Sequence, residues 1–562
     1  MTAPRAGTVV VGGTAAERLA ELRSRPDLAV TAPAQSLATA FTGVLTAALA
    51  GLPAGHRRQA PVVMAATDYA VAATSGYVAR CAEAEAGGRR LRPSEAMTPE
   101  PAQLLQELAE RTDWQGPGHV LISPRSATWQ AVRWAFGAVS AGLHPAMVVC
   151  EVARDPAGGG YRVAAVPVTA PGPHAGPPTG PVVISGTGLV TAFGDGADTF
   201  WRNLLAGRRG TGELTRFDAG RFRSRTVCQT TVAAAPGRPV RRALVDRARA
   251  EALAEAGLDR LPERTLLVYA GVVPHLPAVA GAPGVGEIAL EPEWDGDGFG
   301  AAPGDRVLMA HACASGAFGL AMAREWLLCG LADTAVIVGV SALNTYDYAC
   351  LDVLRATTTG IARPFDEDRS GVTVGEGAGV IVLETAARAA ARGHRPPAVL
   401  AGISCRVAGQ GVSALSTRVG AVCMREALAM AGLRTVDYVH GHAPGTRQGD
   451  EAELQALDQV GAELGWRDVP VSSCKGASGH LLHASVFPAV VTAVRALRDA
   501  VLPGTPGLRT PLGARHVRVL RDAESREGLS SVLVDNFGFG GNNAAFLLTG
   551  DAAGHLEWSA HG

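Results

Sequence analysis

The sequence predicts an α/β protein with more than one folding unit. Three observations carry this expectation: strand-length β-branched runs alternate with Ala/Leu-rich helical stretches, one strand–helix–strand pattern occurs twice, and a segment dense in Pro and Gly lies between the two occurrences. A chain of 562 residues is also too long for one ordinary compact domain. Hydrophobic residues at 47% against charged residues at 18% suit a buried core over most of that length.

Taken in chain order, the first part, residues 1–168, contains HVLISPRSATWQAVRWAFGAVSAGLHPAMVVCEVA (119–153), read as strand, small-residue turn, helix, glycine turn and strand. TAPGPHAGPPTG (169–180) has almost no apolar periodicity and reads as an exposed linker. PVVISGTG (181–188) opens the second part with a buried strand, and AVIVGV (335–340), GVIVLE (379–384), SVLVD (531–535) and AAFLLT (544–549) continue the alternation. ASGAFGLAMAREWLL (314–328) has the composition of a buried helix that stops at Gly330. The stretch around it, VLMAHACASGAFGLAMAREWLLCGLADTAVIVGVSA, repeats the element order and lengths of 119–153, so the first part is expected to duplicate a piece of the second. In that earlier copy the cysteine position falls on Arg125 or Ser126, and no thiol is present there.

Composition excludes several classes. A formal net charge of −1 with dispersed basic residues lacks the footprint of a nucleic-acid binder, and the pairs Arg57–Arg58 and Arg241–Arg242 are expected at solvated surfaces. The most apolar early stretch, 29–55, is diluted by Thr, Ser, Gln and Pro, so no membrane span is expected. Residues 1–7 do not read as a secretory signal, which points to the cytoplasm. Nine cysteines without CxxC pairs or His spacing give no zinc pattern, and no metal is expected. Of the 51 basic Lys and Arg residues, only Lys475 is lysine, which suggests a position where a compact ammonium is needed.

Four motifs carry chemistry. Cys313 in HACASGAF sits between a strand and a helix start, where backbone N–H groups and the helix dipole are expected to favour a thiolate and later an oxyanion. His442 in DYVHGHAPGTRQGDEAE follows a strand-like lead and is placed to hydrogen-bond a reacting carbonyl, although alternation puts His440 on the same side. Lys475 and His480 share VSSCKGASGHLLHAS, close enough for the cation to favour a neutral imidazole. DNFGFGGNNAAF (535–546) threads Phe537 and Phe539 between glycines, with Asn536 and Gly538 beside them, and the aromatics could wall an acyl pocket.

The order of these motifs resembles the β-ketoacyl synthases of fatty-acid and polyketide assembly. ACASG is similar to their nucleophile motif, HAPGT to HGTGT, KGASGHLLHA to KxxxGHxxGA, and NFGFGGNN to their glycine-rich loop, while RPFDEDRSGVTVGEGAGVIVLE (363–384) is similar to a stretch in which Asp366, Arg369 and Glu376 have structural roles. The resemblance implies a thiolase-like α/β fold of two similar αβαβα halves in five layers, here 181–390 and 391–562, with a partial α/β repeat in front. It implies that Cys313 accepts an acyl chain from the phosphopantetheine of an acyl carrier protein, with no bound cofactor. His442 and His480 would hold the enolate formed when a malonyl thioester loses carbon dioxide, and Lys475 would support His480. The backbone N–H groups of Cys313 and Phe539 would form the oxyanion hole, with Phe539 as pocket gate.

Departures from the pattern carry expectations too. Pro444 removes a backbone donor and should reshape the His442 loop, and His483 stands where a glycine is usual. GVGEIALEPEWDGDGFGAAPGD (284–305) replaces a longer segment that normally helps form the dimer face and acyl tunnel, and TPEPAQLLQELAERTDWQGPG (98–118) looks like what is missing. The first part is therefore expected to be a degenerate half-synthase packed on the second. Decarboxylative condensation in type II polyketide or fatty-acid-like specialised metabolism is the leading function; acyl transfer without condensation and a role like a chain-length factor are the alternatives. The expected partners are an acyl carrier protein and either a second copy or a synthase/chain-length-factor-like assembly.

Overall fold

The computed structural model describes residues 15–24, 29–87, 90–123, 126–155, 159–169, 180–236, 238–289, 306–408 and 416–550. Most of the expected linker, Arg125, and the acidic glycine-rich stretch beyond residue 289 lie outside these residues. Among the described residues no helix is long and apolar enough to cross a membrane.

The first unit comprises α1 (Ala15–Ser24), β1 (Ala29–Ala32), α2 (Leu37–Ala50), β2 (Val62–Ala65), α3 (Thr67–Glu85), α4 (Pro93–Ala96), α5 (Gln103–Arg111), β3 (Gly118–Leu121), α6 (Ala127–Ser140), β4 (Ala146–Arg154) and β5 (Tyr161–Thr169). The next half contains β6 (Val182–Thr191), α7 (Ala197–Leu205), α8 (Val240–Glu255), β7 (Thr265–Ala270), β8 (Arg306–Met309), α9 (Ser315–Leu328), β9 (Thr334–Ser341), α10 (Thr345–Val353) and β10 (Gly377–Thr385). The last half contains β11 (Ala398–Val407), α11 (Thr417–Met430), β12 (Tyr438–His440), α12 (Arg447–Leu464), β13 (Val469–Ser472), α13 (Lys475–Ser478), α14 (Val486–Asp499), β14 (Val517–Val519), β15 (Ser531–Gly538) and β16 (Asn542–Thr549).

These strands belong to one 17-stranded sheet. Each set shows the same pattern of two antiparallel pairings followed by parallel ones: β1–β5–β4–β2–β3, then β6–β10–β9–β7–β8, then β11–β16–β15–β12–β13. The parallel strands are mostly apolar because helices cover both faces, and β2, β7 and β8 have no exposed position. Helices α9 and α14 are buried almost all round, as inner layers must be.

The register of the first unit repeats that of the next half residue for residue. Val62 lies beside Gly118 and Val148, and Leu267 lies beside Arg306 and Val336, so β3 and β4 map onto β8 and β9 by the same displacement of 188 positions. The two copies meet at those matching strands. Leu121 pairs with Met309, its own counterpart 188 positions on, in an antiparallel contact. Two hydrogen bonds flank the pair, Ile122 N–H to Leu308 O at 2.9 Å and Ala310 N–H to Val120 O at 3.3 Å, and the same displacement maps one onto the other. A contact that exchanges equivalent residues in this way is the signature of a local two-fold axis. Around it, Trp134 of α6 is fully buried and donates to Glu325 of α9 at 2.7 Å, and His144 meets the other oxygen of that carboxylate at 2.8 Å.

One surface expectation fails. Arg241 is only 2% exposed and donates to the Gly286 carbonyl, because α8 packs its first turn under the loop that precedes Ile288.

Candidate active site

The turn that carries Cys313 joins the short strand β8 to the buried helix α9. Ala312 takes a positive φ of 46°, a conformation a non-glycine residue holds only when its surroundings fix it. They do so on both sides. The Ala312 N–H donates to Glu100 of the first unit at 3.1 Å, and its carbonyl accepts from His483 Nδ1 at 3.1 Å and from Ser315 Oγ at 2.7 Å. The Cys313 carbonyl accepts from Ser485 Oγ at 2.8 Å. Gly538 packs against this turn so closely that an added Cβ would lie 2.8 Å from the His311 carbonyl oxygen and 3.1 Å from the Cys313 nitrogen, so no side chain fits there.

The expected thiolate is not what these surroundings favour. Helix α9 begins two residues after Cys313, and burial together with Glu100, opposed by Lys475, pushes the Cys313 thiol up to about 12. The cysteine is held as a thiol.

His442 stands just beyond β12, on a loop organised by two carboxylates of α12. Asp450 and Glu453 are three positions apart and therefore share a helix face. Glu453 accepts the N–H groups of His442 at 2.6 Å and Ala443 at 2.7 Å, and Asp450 accepts those of Gly445 and Thr446. Pro444 sits between these donors, so its missing N–H leaves the carboxylate contacts of the loop intact. Burial outweighs the N–H bonds on both acids, raising Asp450 to about 6 and Glu453 to about 7. Arg369 closes the far end by donating to the Thr446 and Arg447 carbonyls.

The imidazole of His442 has donors on one side. Lys475 Nζ lies 3.3 Å and Asn536 Nδ2 3.4 Å from Nδ1, and Lys475 also donates to the His442 carbonyl. With Nδ1 accepting, the proton belongs on Nε2. His480 reaches the same state by another route, its Nδ1 accepting the Leu482 N–H at 3.0 Å. The two rings stand 5.4 Å apart at 81°. Burial, with Lys475 adding to it, holds both imidazoles well below their usual range, so both are neutral N–H donors. Lys475 was expected to support the electrostatics and position of His480; its charge helps lower His480, while its ammonium contacts His442 directly, because the single turn of α13 carries it toward the neighbouring β12 loop and Gly479, at φ 71°, turns the chain to place His480.

A pocket of about 350 Å³ joins Cys313, His442, His480, Phe537, Gly538 and Phe539, and the exposed Arg355 and Arg447 line its outer side. His440 is not among its lining residues. It is buried, meets the Tyr438 hydroxyl at 2.9 Å, and burial lowers it to about 3. Asn536 also donates to Ser485 Oγ at 3.0 Å, and Phe537 packs edge-on to His442 at 5.7 Å. Asp366 and Glu376 lie outside the pocket lining: Asp366 accepts the Arg509 and Thr510 N–H groups, and Glu376 accepts from Arg216, Thr230 and the Leu343 N–H.

Sequence reasoning passed over Glu100, His311, Ser485, Asp450 and Glu453. The last two carried a legible signal, acidic residues three apart at a helix start directly after His442. Glu100 carried none, because it reaches the site from more than two hundred residues away.

Comparison with known proteins gives a consistent result. The family "Beta-ketoacyl synthase, N-terminal domain" matches residues 179–276 and 302–389, and "Beta-ketoacyl synthase, C-terminal domain" matches 397–509. A Streptomyces halstedii protein assigned as polyketide beta-ketoacyl synthase 1 is 32% identical over 425 residues, covering 66% of this chain and 98% of that protein. The 3-oxoacyl-[acyl-carrier-protein] synthase 2 of Vibrio cholerae is 27% identical, covering 65% of this chain and 98% of its own length. The crystal structure of a beta-ketoacyl synthase from Burkholderia phymatum superposes with a TM-score of 0.58 at 26% identity, covering 66% of this chain and all of that one. The ishigamide ketosynthase/chain length factor superposes at a TM-score of 0.60 with 24% identity.

Proposed function

Because the chain belongs to the β-ketoacyl synthase family, and is thus a condensing acyltransferase of thiolase-like α/β fold, we propose that Cys313, His442 and His480 carry a decarboxylative condensation. The Cys313 thiol takes an acyl group from a phosphopantetheine thioester and releases the carrier thiol. A malonyl thioester then loses carbon dioxide, and its enolate oxygen is stabilised by the Nε2–H groups of His442 and His480. The resulting carbanion attacks the Cys313 thioester carbonyl. The tetrahedral oxyanion rests on the backbone N–H groups of Cys313 and Phe539, and its collapse releases the cysteine and leaves a β-ketoacyl chain on the carrier.

The observation that carries this reading is the pair of neutral imidazoles whose Nδ1 atoms are both occupied by donors, in one pocket with the cysteine. Lys475 and Asn536 act as positioning residues for His442, Phe537 and Gly538 shape the pocket, and Asp366, Arg369, Glu376 and His483 hold the framework. The exposed Arg355 and Arg447 beside the pocket suit a phosphopantetheine phosphate and an acidic acyl carrier protein, in a cytoplasmic pathway of the type II polyketide or fatty-acid-like kind.

The proposed organisation is a half-synthase unit (1–168), a linker (169–180), and two synthase halves (181–390, 391–562). Because the first unit occupies the edge of β8, the synthase/chain-length-factor-like assembly is contained in one chain, and that edge is closed to a second copy.

The test is to mix the protein with acyl and malonyl carrier proteins and follow intact mass and carbon dioxide release. An acyl adduct absent in Cys313→Ala, with malonyl-dependent product, is expected. Adduct without decarboxylation would mean acyl transfer alone, and no adduct with any chain would leave a non-catalytic role.

A further inference from the structure

Behind the nucleophile lies a second, smaller cavity that the matched family regions build only in part. Phe539 lines both this cavity and the pocket at Cys313, so the two are neighbours across one aromatic ring. Its volume is about 50 Å³, room for roughly three to five water-sized groups and not for a long chain. One wall is Asp347, Cys350 and His483 of the second part; the other is Thr74, Tyr77 and Glu100 of the first unit.

The first unit's wall is mixed: Ala96, Met97 and Pro99 are apolar, and Thr74, Tyr77 and Glu100 bring polar atoms. Thr74 is 1% exposed and its Oγ1 has no hydrogen-bond partner among the described residues. A buried hydroxyl left unpaired is costly, and a ligand that pairs with it recovers that cost. The Tyr77 hydroxyl is already committed to the Tyr346 carbonyl, and Asp347 accepts from Asn344, whereas Glu100 faces the cavity between the Ala312 N–H and His483. Two carboxylates and an unpaired hydroxyl therefore surround a few atoms' worth of space. An alkyl end placed there would leave the Thr74 hydroxyl unpaired and set apolar atoms against two carboxylates whose remaining acceptor positions a donor could use.

Building on the condensing role argued above, we propose that this cavity receives the far end of the acyl group on Cys313, and that the group is a short acyl chain ending in a hydrogen-bond donor, a hydroxyl or an amine. Thr74 and Glu100 are specificity residues, and the first unit sets what the synthase accepts. The phenyl ring of Phe539 separates donor-bearing tail from incoming malonyl unit.

The experiment uses the full chain and pantetheine thioesters of butyrate, 4-hydroxybutyrate, 4-aminobutyrate and octanoate, reading the rate of Cys313 acylation by intact mass. At least one donor-bearing thioester should acylate about tenfold or more faster than butyrate, and octanoate should be the slowest. Thr74→Val and Glu100→Gln should each cut the ratio of donor-bearing to plain butyryl rates to about threefold or less; because this is a ratio within one variant, a general loss of folding does not mimic it. Acylation by butyrate or octanoate as fast as by the donor-bearing chains, or an unchanged ratio in both variants, would overturn the cavity assignment while leaving the condensing role standing. Absence of any Cys313 adduct from all four thioesters would overturn both.

Discussion

The chemistry rests on protonation states that the surroundings impose on single residues. Cys313 is kept as a thiol by burial and by the Glu100 carboxylate, against the pull of Lys475. Its thiolate fraction should therefore rise about tenfold per pH unit across the whole accessible range. Alkylation of the unacylated protein by iodoacetamide is expected to climb from pH 7 to pH 10 without levelling; a plateau below pH 9 would show a depressed thiol instead. His442 and His480 start neutral, which suits the proposed role of donating Nε2–H, and replacing either by Ala should lower malonyl decarboxylation about 10²–10³-fold. Acylation of Cys313 should survive those changes, which separates the two half-reactions by mass and by carbon dioxide release. Lys475 donates to both the carbonyl and Nδ1 of His442. Lys475→Met removes the proton donor that fixes that tautomer and should impair decarboxylation more than acylation.

At the level of elements, the site depends on how β3 of the first unit docks beside β8. His311 is the latch. Its Nε2 accepts the Val120 N–H at 2.8 Å, its Nδ1 meets Asn542 Oδ1 at 2.7 Å, and its ring stacks on Phe318 at 3.8 Å. Accepting the Val120 N–H requires an unprotonated Nε2, while Nδ1–H donates to Asn542 in either state, and burial lowers the group from 6.5 to about 3. The sign follows from linkage. Below pH 6.5 the unfolded chain binds a proton that the folded ring refuses, so this contribution to stability is present above 6.5 and is lost as the pH falls toward 3, by up to ~1.4 kcal/mol per pH unit. His311→Gln should cost ~1–3 kcal/mol at pH 7.5, and its urea-unfolding free energy should fall less steeply between pH 6 and pH 4 than that of the wild type. An identical slope in both proteins would remove His311 from the acid response.

For the whole molecule, the two-fold contact of β3 with β8 occupies a strand edge that would otherwise be open to pairing with another chain. The chain is expected to be monomeric, with light scattering giving a mass near 57.6 kDa. Deleting residues 1–178 should expose that edge and convert the remainder to dimers or aggregates; a monodisperse, active monomer from the truncated chain would contradict this role of the first unit. By itself, the sequence determined the α/β class and the doubled strand–helix–strand pattern, and its motifs nominated Cys313, His442 and His480, because strand and helix periodicity and short motifs are local in the chain. Only the tertiary structure decided that Lys475 contacts His442, that the surroundings raise the Cys313 thiol, that His440 lies outside the pocket and that Arg241 is buried, since these depend on which neighbours burial brings together. The reach of Glu100 from the first unit to the nucleophile turn belongs to the same kind: no spacing along the chain can encode a contact created by folding one copy of a motif against the other.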